Sequence, residues 1–273
     1  DRRPGSRELQ LWGDISIRSR GRVLSVAVDD PALFAAVAFR RELKRLGVII
    51  TGAAVARHAY PHELPSLKRL PNRKPQAYPA RLAAIESAPL ADTLPIINKD
   101  SQNLHAEMLL CEVGYQRRGV GSFEAGLGEL KSFLLEAGLK PPESKLQDAS
   151  GLSRRNLVSP GATTQLLTYM WNSPARKHFA SSLPVSGQDG TLDWRFSRTS
   201  AKGRIRAKTG TLAHVTAISG YAATLDDRSL AFSILVNNYG VQASYVRSLV
   251  DKICVAMIES APTLETTPEE AGG

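Results

Sequence analysis

The sequence predicts an α+β fold, an antiparallel sheet flanked by helices, and three observations carry that prediction. From Arg204 to Leu212, Ile205 and Ala207 alternate with Arg204, Arg206 and Lys208, the period of a half-buried strand. Two further strand runs, Ala217 to Ala223 and Leu230 to Val236, are joined across Asp226-Asp227 as a hairpin, giving three antiparallel strands. Helical periods fill the stretch before these strands, and one more helix closes the order after them.

In chain order, Leu9 to Ile17 and Val23 to Val28 alternate apolar and polar residues and read as two strands around a basic turn. Asp29-Asp30-Pro31 announces a helix, with an Asp cap and Pro in the first turn. Phe34, Val37, Ala38, Leu43 and Leu46 form its apolar stripe, and Gly47 stops it. Val48-Ile49-Ile50 reads as a short buried strand. From His58 to Arg81, five prolines forbid a long helix and mark a linker, with the first domain boundary in it.

Ala88 to Asp100 is helical, with Leu90, Leu94 and Ile97 on one side, and Leu104 to Gln116 continues as a second helix packed through Met108, Leu109 and Val113. Phe123 to Ala137 is another amphipathic helix, ending at Gly138. Asp148 to Arg154 breaks the pattern as a Ser-Gly-Leu-Ser loop. Ser159-Pro160 and Ser173-Pro174 each start a helix by capping. Gly187 to Arg195 is a loop, Tyr245 to Ile258 the closing helix, and Pro262 to Gly273 an acidic, structureless tail. The domain reading is therefore 1–57, a linker at 58–87, a main domain at 88–261 and a tail at 262–273.

The chain has 273 residues, 42% of them apolar, and no run approaches a membrane span. A net charge of +9 favours anionic partners, whether nucleic acid, a lipid surface or a wall polymer. Scattered Lys and Arg, 6% aromatics and the lack of any nucleic-acid-binding signature argue against nucleic acid. Cys111 and Cys254 each lie in an apolar helical pattern and read as buried free thiols rather than a disulfide. The five histidines are dispersed and no cluster has metal-ligand spacing, so neither metal nor cofactor is expected.

Chemistry concentrates at the end of the first predicted sheet strand. Lys208, Thr209 and Gly210 place an ammonium, a hydroxyl and a residue without a side chain in succession. That order lets a strand edge hold a carboxylate with the first two while a peptide backbone lies against the third. By itself, Lys-Thr-Gly is more often an ordinary basic strand end. Upstream, Ser101 and Asn103 flank one residue at the junction of two helices and can point into one cleft from a tight turn. Ser-x-x-Lys, a Ser-x-Asn element and Lys-Thr-Gly form the signature set of penicillin-binding proteins and class A beta-lactamases. The second and third occur here in that order; no serine in the chain has a lysine three residues on.

On these residues the chain resembles the D-alanyl-D-alanine carboxypeptidases/endopeptidases of the class C, low-molecular-mass penicillin-binding type. The resemblance rests on Ser101-Gln102-Asn103 with the following Leu104 to Leu109, on Asp148-Ala149-Ser150-Gly151-Leu152-Ser153-Arg154, on Asp189-Gly190-Thr191-Leu192, and on Ala207 to Leu212. It implies a penicillin-binding, serine beta-lactamase-like transpeptidase fold, incomplete at its N-terminus, with residues 1–57 as the end of an inserted domain. The missing Ser-x-x-Lys then belongs to an upstream segment, and the chain is expected to be a C-terminal part, inactive alone. The last strand is expected to have an unpaired edge.

The resemblance also implies roles. Ser101 relays a proton to the departing amine and Asn103 holds the substrate's amide carbonyl. Lys208 supplies positive charge, Thr209 binds the terminal carboxylate, and the Thr211 backbone N–H is one arm of an oxyanion hole, with Gly210 and Leu212 along the same substrate-binding edge. Ser150, Gly151 and Leu152 line the pocket for the penultimate D-residue. Glu107 is either a general base or a carboxylate that braces the turn above it; the brace is favoured because the implied chemistry needs no further base. The expected partners are peptidoglycan stem peptides and, as inhibitors, beta-lactams, outside the cytoplasmic membrane. The alternatives are a beta-lactamase or esterase of the same fold, and a wall- or partner-binding module without a nucleophile.

Overall fold

The computed structural model describes residues 6, 8–21, 23, 26–58, 83–140 and 143–260. Backbone contacts divide the chain into two units, Asp1–Arg69 and Leu70–Gly273. The expected linker, apart from residues 58 and 83–87, and the expected tail lie outside the described residues.

Among its described residues the first unit holds one helix, α1 (Pro31–Arg45), started as expected: Pro sits in the first turn and the Asp30 carboxylate accepts the Leu33 N–H at 2.9 Å. That bond, followed by one from His58, holds the Asp30 carboxyl below its usual range. The strands expected before and after α1 do not form among the described residues. The turn exists, with the Ser19 N–H donating to the Ser16 carbonyl at 2.8 Å, but Trp12, Ile17 and Ile49 are exposed. Alternation gives a segment two faces; only a neighbouring strand makes it a ladder, and no strand lies in this unit among the described residues.

The second unit starts with α2 (Leu90–Lys99), α3 (Asn103–Arg118) and α4 (Phe123–Glu136). The buried residues of α3 are Leu110 and Gly114, whereas Met108 and Val113 are exposed, so the expected packing face is displaced. The cause is a close crossing of α3 and α4. A Cβ on Gly126 would lie 2.2 Å from the Leu110 carbonyl oxygen, and one on Gly114 2.8 Å from the Gly126 nitrogen. Glycine lets the two backbones meet where larger apolar residues would hold them apart.

The chain then makes a two-residue ladder, β1 (Ser144–Lys145) with β2 (Leu157–Val158), around the 148–154 loop. α5 (Pro160–Trp171) follows, with Ser159 Oγ accepting the Ala162 N–H at 3.0 Å as its cap. α6 (Arg176–Ser182) begins later than expected. Ser173 Oγ donates to the Met170 carbonyl at 2.8 Å and closes α5 instead of capping α6. One 3₁₀ turn, Gly190–Leu192, leads to the main sheet.

That sheet is antiparallel in the order β3 (Ile205–Leu212), β4 (Val215–Ala223), β5 (Ser229–Asn237), closed by α7 (Ala243–Glu259). Ile205, Ala207, Ile218 and Phe232 meet Val246, Val250, Cys254 and Ile258 of α7 in the main core. On the opposite face, Tyr221 packs with Leu167 and Leu183, and its hydroxyl donates to the Leu167 carbonyl at 2.7 Å; burial pushes that phenol up to about 12. Both cysteines are free, and burial raises the Cys254 thiol to about 12. Among the described residues, β5 has no strand on its outer side, as expected.

Candidate active site

Three short segments meet at the far end of β3. The first is the turn from α2 into α3. Ser101 takes φ of 56°, a left-handed conformation that a residue with a side chain adopts at a cost of about 1–3 kcal/mol. The turn is held by the Gln102 N–H donating to the Ile97 carbonyl at 3.0 Å. Asn103 is the first residue of α3 and is exposed.

The second segment is β3 itself. Lys208 Nζ donates to Ser101 Oγ at 2.8 Å and to its neighbour's carbonyl, Thr209 O, at 3.0 Å. Residues 101 and 208, far apart in sequence, thus share one hydrogen bond. Burial pushes the Lys208 ammonium below its usual range. Side chains alternate across a strand, so Thr209 turns the other way, and its hydroxyl donates to Thr191 Oγ1 at 2.8 Å. Gly210 and Thr211 are exposed, and Leu212 is half-buried.

The outer edge of β3 is covered only at its start. Ala207 N–H donates to the Pro184 carbonyl at 3.0 Å, and Ser186 N–H to the Ile205 carbonyl at 3.0 Å. From Lys208 onward, no strand among the described residues pairs with that edge. Backbone groups alternate between β4 and the outer edge, so those of Thr209 and Thr211 face outward, and apart from the Thr209 carbonyl, which accepts from Lys208, they are left for a peptide to add to the sheet.

The third segment is the 148–154 loop. The Asp148 carboxylate accepts from the Gly151 N–H at 3.0 Å, the Ser153 N–H at 2.6 Å and Asn156 Nδ2 at 2.6 Å, which holds the loop's shape. Glu107 of α3 accepts the Ser150 N–H at 2.9 Å and the Ala149 N–H at 3.3 Å. Arg154 reaches the Ala213 carbonyl at 3.1 Å, beyond the end of β3. Glu107 is thus a brace: both its oxygens are committed to the loop backbone. The loop is tied to α3 on one side and to the β3–β4 turn on the other, with Leu152 exposed.

The sequence reading left out Lys99, Asp189 and Thr191 as members of the site. Lys99, the last residue of α2, donates to Asp189 Oδ2 at 2.6 Å, and Asp189 Oδ1 accepts the Val185 N–H at 2.8 Å. The signal available was the Asp189-Gly190-Thr191-Leu192 block, which carried resemblance but no role. Cavities of about 670 Å³ beside α5 and about 590 Å³ between α4 and the β1–β2 ladder lie elsewhere. A groove along a strand edge is open by nature and forms no enclosed hollow.

The family model for the D-Ala-D-Ala carboxypeptidase 3 (S13) family matches residues 1–256. A D-alanyl-D-alanine carboxypeptidase of an Actinomadura species is 32% identical over 266 residues, 96% of this chain and 46% of that protein. The D-alanyl-D-alanine carboxypeptidase DacB of Haemophilus influenzae is 32% identical over 233 residues, 84% of this chain and 45% of that protein. The chain spans about half the length of the curated relatives it matches. Among solved structures, penicillin binding protein 4 of Haemophilus influenzae, complexed with a novel beta-lactam, superimposes with a TM-score of 0.71 and 29% identity. That match covers 86% of this chain and 52% of the other.

Proposed function

This chain belongs to the D-Ala-D-Ala carboxypeptidase 3 family, and from that premise we propose that it forms the leaving-group and carboxylate-binding half of a serine D-Ala-D-Ala carboxypeptidase/endopeptidase acting on peptidoglycan stem peptides through an acyl-enzyme. The observation that carries the reading is the 2.8 Å bond from Lys208 Nζ to Ser101 Oγ beside the uncovered edge of β3.

The chemistry follows from donor counting. An ammonium has three N–H donors. Lys208 commits one to Ser101 and one to the Thr209 carbonyl. The third faces the groove, where a substrate's terminal carboxylate completes the set. Because Ser101 Oγ accepts from Lys208, its own proton is turned outward, available to the departing amine, and Lys208 replaces it. A lysine whose ammonium is destabilised by burial gives up that proton more readily than an exposed one. Thr209 spends its single proton on Thr191 in the free site. On the face of β3 away from Lys208, this bond ties the strand to Thr191 and leaves the carboxylate to Lys208. Asn103 holds the amide carbonyl, the Thr211 N–H serves the oxyanion, and Gly210 and Leu212 continue the edge along which the peptide backbone lies. Ser150, Gly151 and Leu152 wall the penultimate residue.

No Ser-x-x-Lys occurs in the 273 residues, so the reading takes the nucleophile from another segment of the natural protein. The same fact favours a second reading, a groove that binds wall peptides without cutting them. No described helix is long and apolar enough to cross a membrane, and the proposed substrate places the protein outside the cytoplasmic membrane. Fluorescent penicillin tests both readings on the full natural protein. Covalent labelling at a serine outside this sequence is expected, slowed by about a hundredfold or more in Lys208→Ala. Equal labelling of the two forms would remove Lys208 from its role, and no labelling of either would favour the binding module.

A further inference from the structure

Of four consecutive residues between α6 and β3, three touch different parts of the site and the fourth is set in the core. Asp189 accepts from Lys99, two residues before Ser101, and from the Val185 backbone on the covered edge of β3. Gly190 lies against the end of α2. Its φ is +57°, and a Cβ there would lie 2.9 Å from the Lys99 carbonyl oxygen and 3.0 Å from the Lys99 Cα. Thr191 accepts the Thr209 hydroxyl at 2.8 Å. Leu192 is fully buried in the core beneath the sheet.

α2 leads into Ser101 and β3 carries Lys208, and among the described residues no ladder pairs the two segments, although α6 also reaches α2 through Asn98 Nδ2 donating to Ser182 Oγ at 2.7 Å. Their relative position is set from outside. We propose that Asp189-Gly190-Thr191-Leu192 is a positioning clamp that holds the Ser101 turn in register with Lys208 and Thr209. It is anchored in the core by Leu192, on β3 by Thr191, and on α2 by the Lys99–Asp189 pair with Gly190 seated beneath it. The inference rests on the proposed reading only for its catalytic consequence; the clamp itself is a statement about geometry.

The amides that report on the clamp are those of Asp100, bonded to the Ile96 carbonyl at 3.2 Å, and Gln102, bonded to Ile97. Hydrogen exchange of these two amides is followed in the parent chain, in Asp189→Asn, which keeps an acceptor for Val185 but loses the charge, and in Lys99→Met, which breaks the pair from the other side. Both variants are expected to exchange about tenfold faster at these amides, the size of one partly exposed charge-assisted hydrogen bond. The β4 amides should keep their parent rates. Asp189→Asn with Lys99→Met should be no faster than either alone, since one contact is broken. Lys99→Arg keeps the pair and should restore parent exchange. In the full natural protein, Asp189→Asn should slow penicillin labelling by about tenfold with a melting temperature lowered by only about 3–6 °C, and Lys99→Arg should stay close to the parent.

Parent-like exchange at Asp100 and Gln102 in both single variants would overturn the clamp, whatever penicillin does. If the parent protein is not labelled, the acyl-enzyme reading fails, while the exchange measurement still decides the clamp.

Discussion

Replacing Gly220 with alanine puts a methyl group where β3 already is. Gly220 sits in β4 opposite Ala207, one pair away from Ser219 and Lys208. A Cβ built there would lie 2.1 Å from the Arg206 carbonyl oxygen, 2.6 Å from the Ala207 Cα and 2.8 Å from the Ala207 Cβ. Ordinary contacts between such atoms need about 3.5 Å. None of the three belongs to a side chain that can swing aside, so the strands must part by about 1 Å. Overpacking of this kind costs about 1–3 kcal/mol, and contact with main chain puts it at the upper end. For a unit of this size, about 3 kcal/mol lowers the melting temperature by about 6–12 °C. The same displacement carries Lys208 away from Ser101, stretching a 2.8 Å bond beyond hydrogen-bonding range. Calorimetric unfolding of Gly220→Ala is the assay. Gly128→Ala is its control, since a Cβ at that position in α4 meets nothing within 4 Å, and the change should stabilise by up to about 1 kcal/mol. A Gly220→Ala melting temperature within about 1 °C of the parent would refute the close approach of β3 and β4.

Lys208 makes the fold less stable where it makes the site work. Its ammonium is held below the ordinary value of 10.5 by burial. Below the lowered folded value it is charged in both states, and the folded state carries the cost of burying the charge. Between the lowered folded value and 10.5, the unfolded chain holds more protons, so stability rises with pH. Lys208→Met should therefore melt higher than the parent at pH 7, with the difference shrinking as pH approaches 10.5; thermal melts across that range check the sign, and a parent more stable than the variant at pH 7 would contradict it. Glu107→Ala removes the acceptor of the Ala149 and Ser150 amides. It should cost about 1–3 kcal/mol, less where water reaches the amides, and speed hydrogen exchange across 149–152 without altering α7. Unchanged exchange in that loop would show that the Asp148 network alone holds it.

Much of the second unit was legible because its signals are local. A cap such as Ser159 acts on an amide three residues away, and alternation in β3 concerns neighbours two apart. So α5, α7 and the three sheet strands appear where their patterns lie. α6 went wrong for a local reason too: the Ser173 hydroxyl found the carbonyl behind it before the amides ahead. The first unit shows the opposite limit. Leu9 to Ile17 alternates like a strand, yet a strand exists only where another supplies its hydrogen bonds. In α3, the periodicity located a helix but chose the wrong face, since Gly114 and Gly126 decide the packing by what they lack.

By itself the sequence determined which residues carry charge, hydroxyls and bare backbone at Ser101-Gln102-Asn103 and Lys208-Thr209-Gly210, and which segments present them. Only the tertiary structure decided that these meet at 2.8 Å, that Glu107 braces the 148–154 loop, and that Lys99, Asp189 and Thr191 belong beside them. The reason is range. Hydrogen bonding within helices and turns acts over a few residues and leaves a period in the sequence, whereas the Lys99–Asp189 bond spans 90 positions and the Ser101–Lys208 bond 107. Contacts at such separations come from the packing of whole elements and leave no period in either segment that makes them.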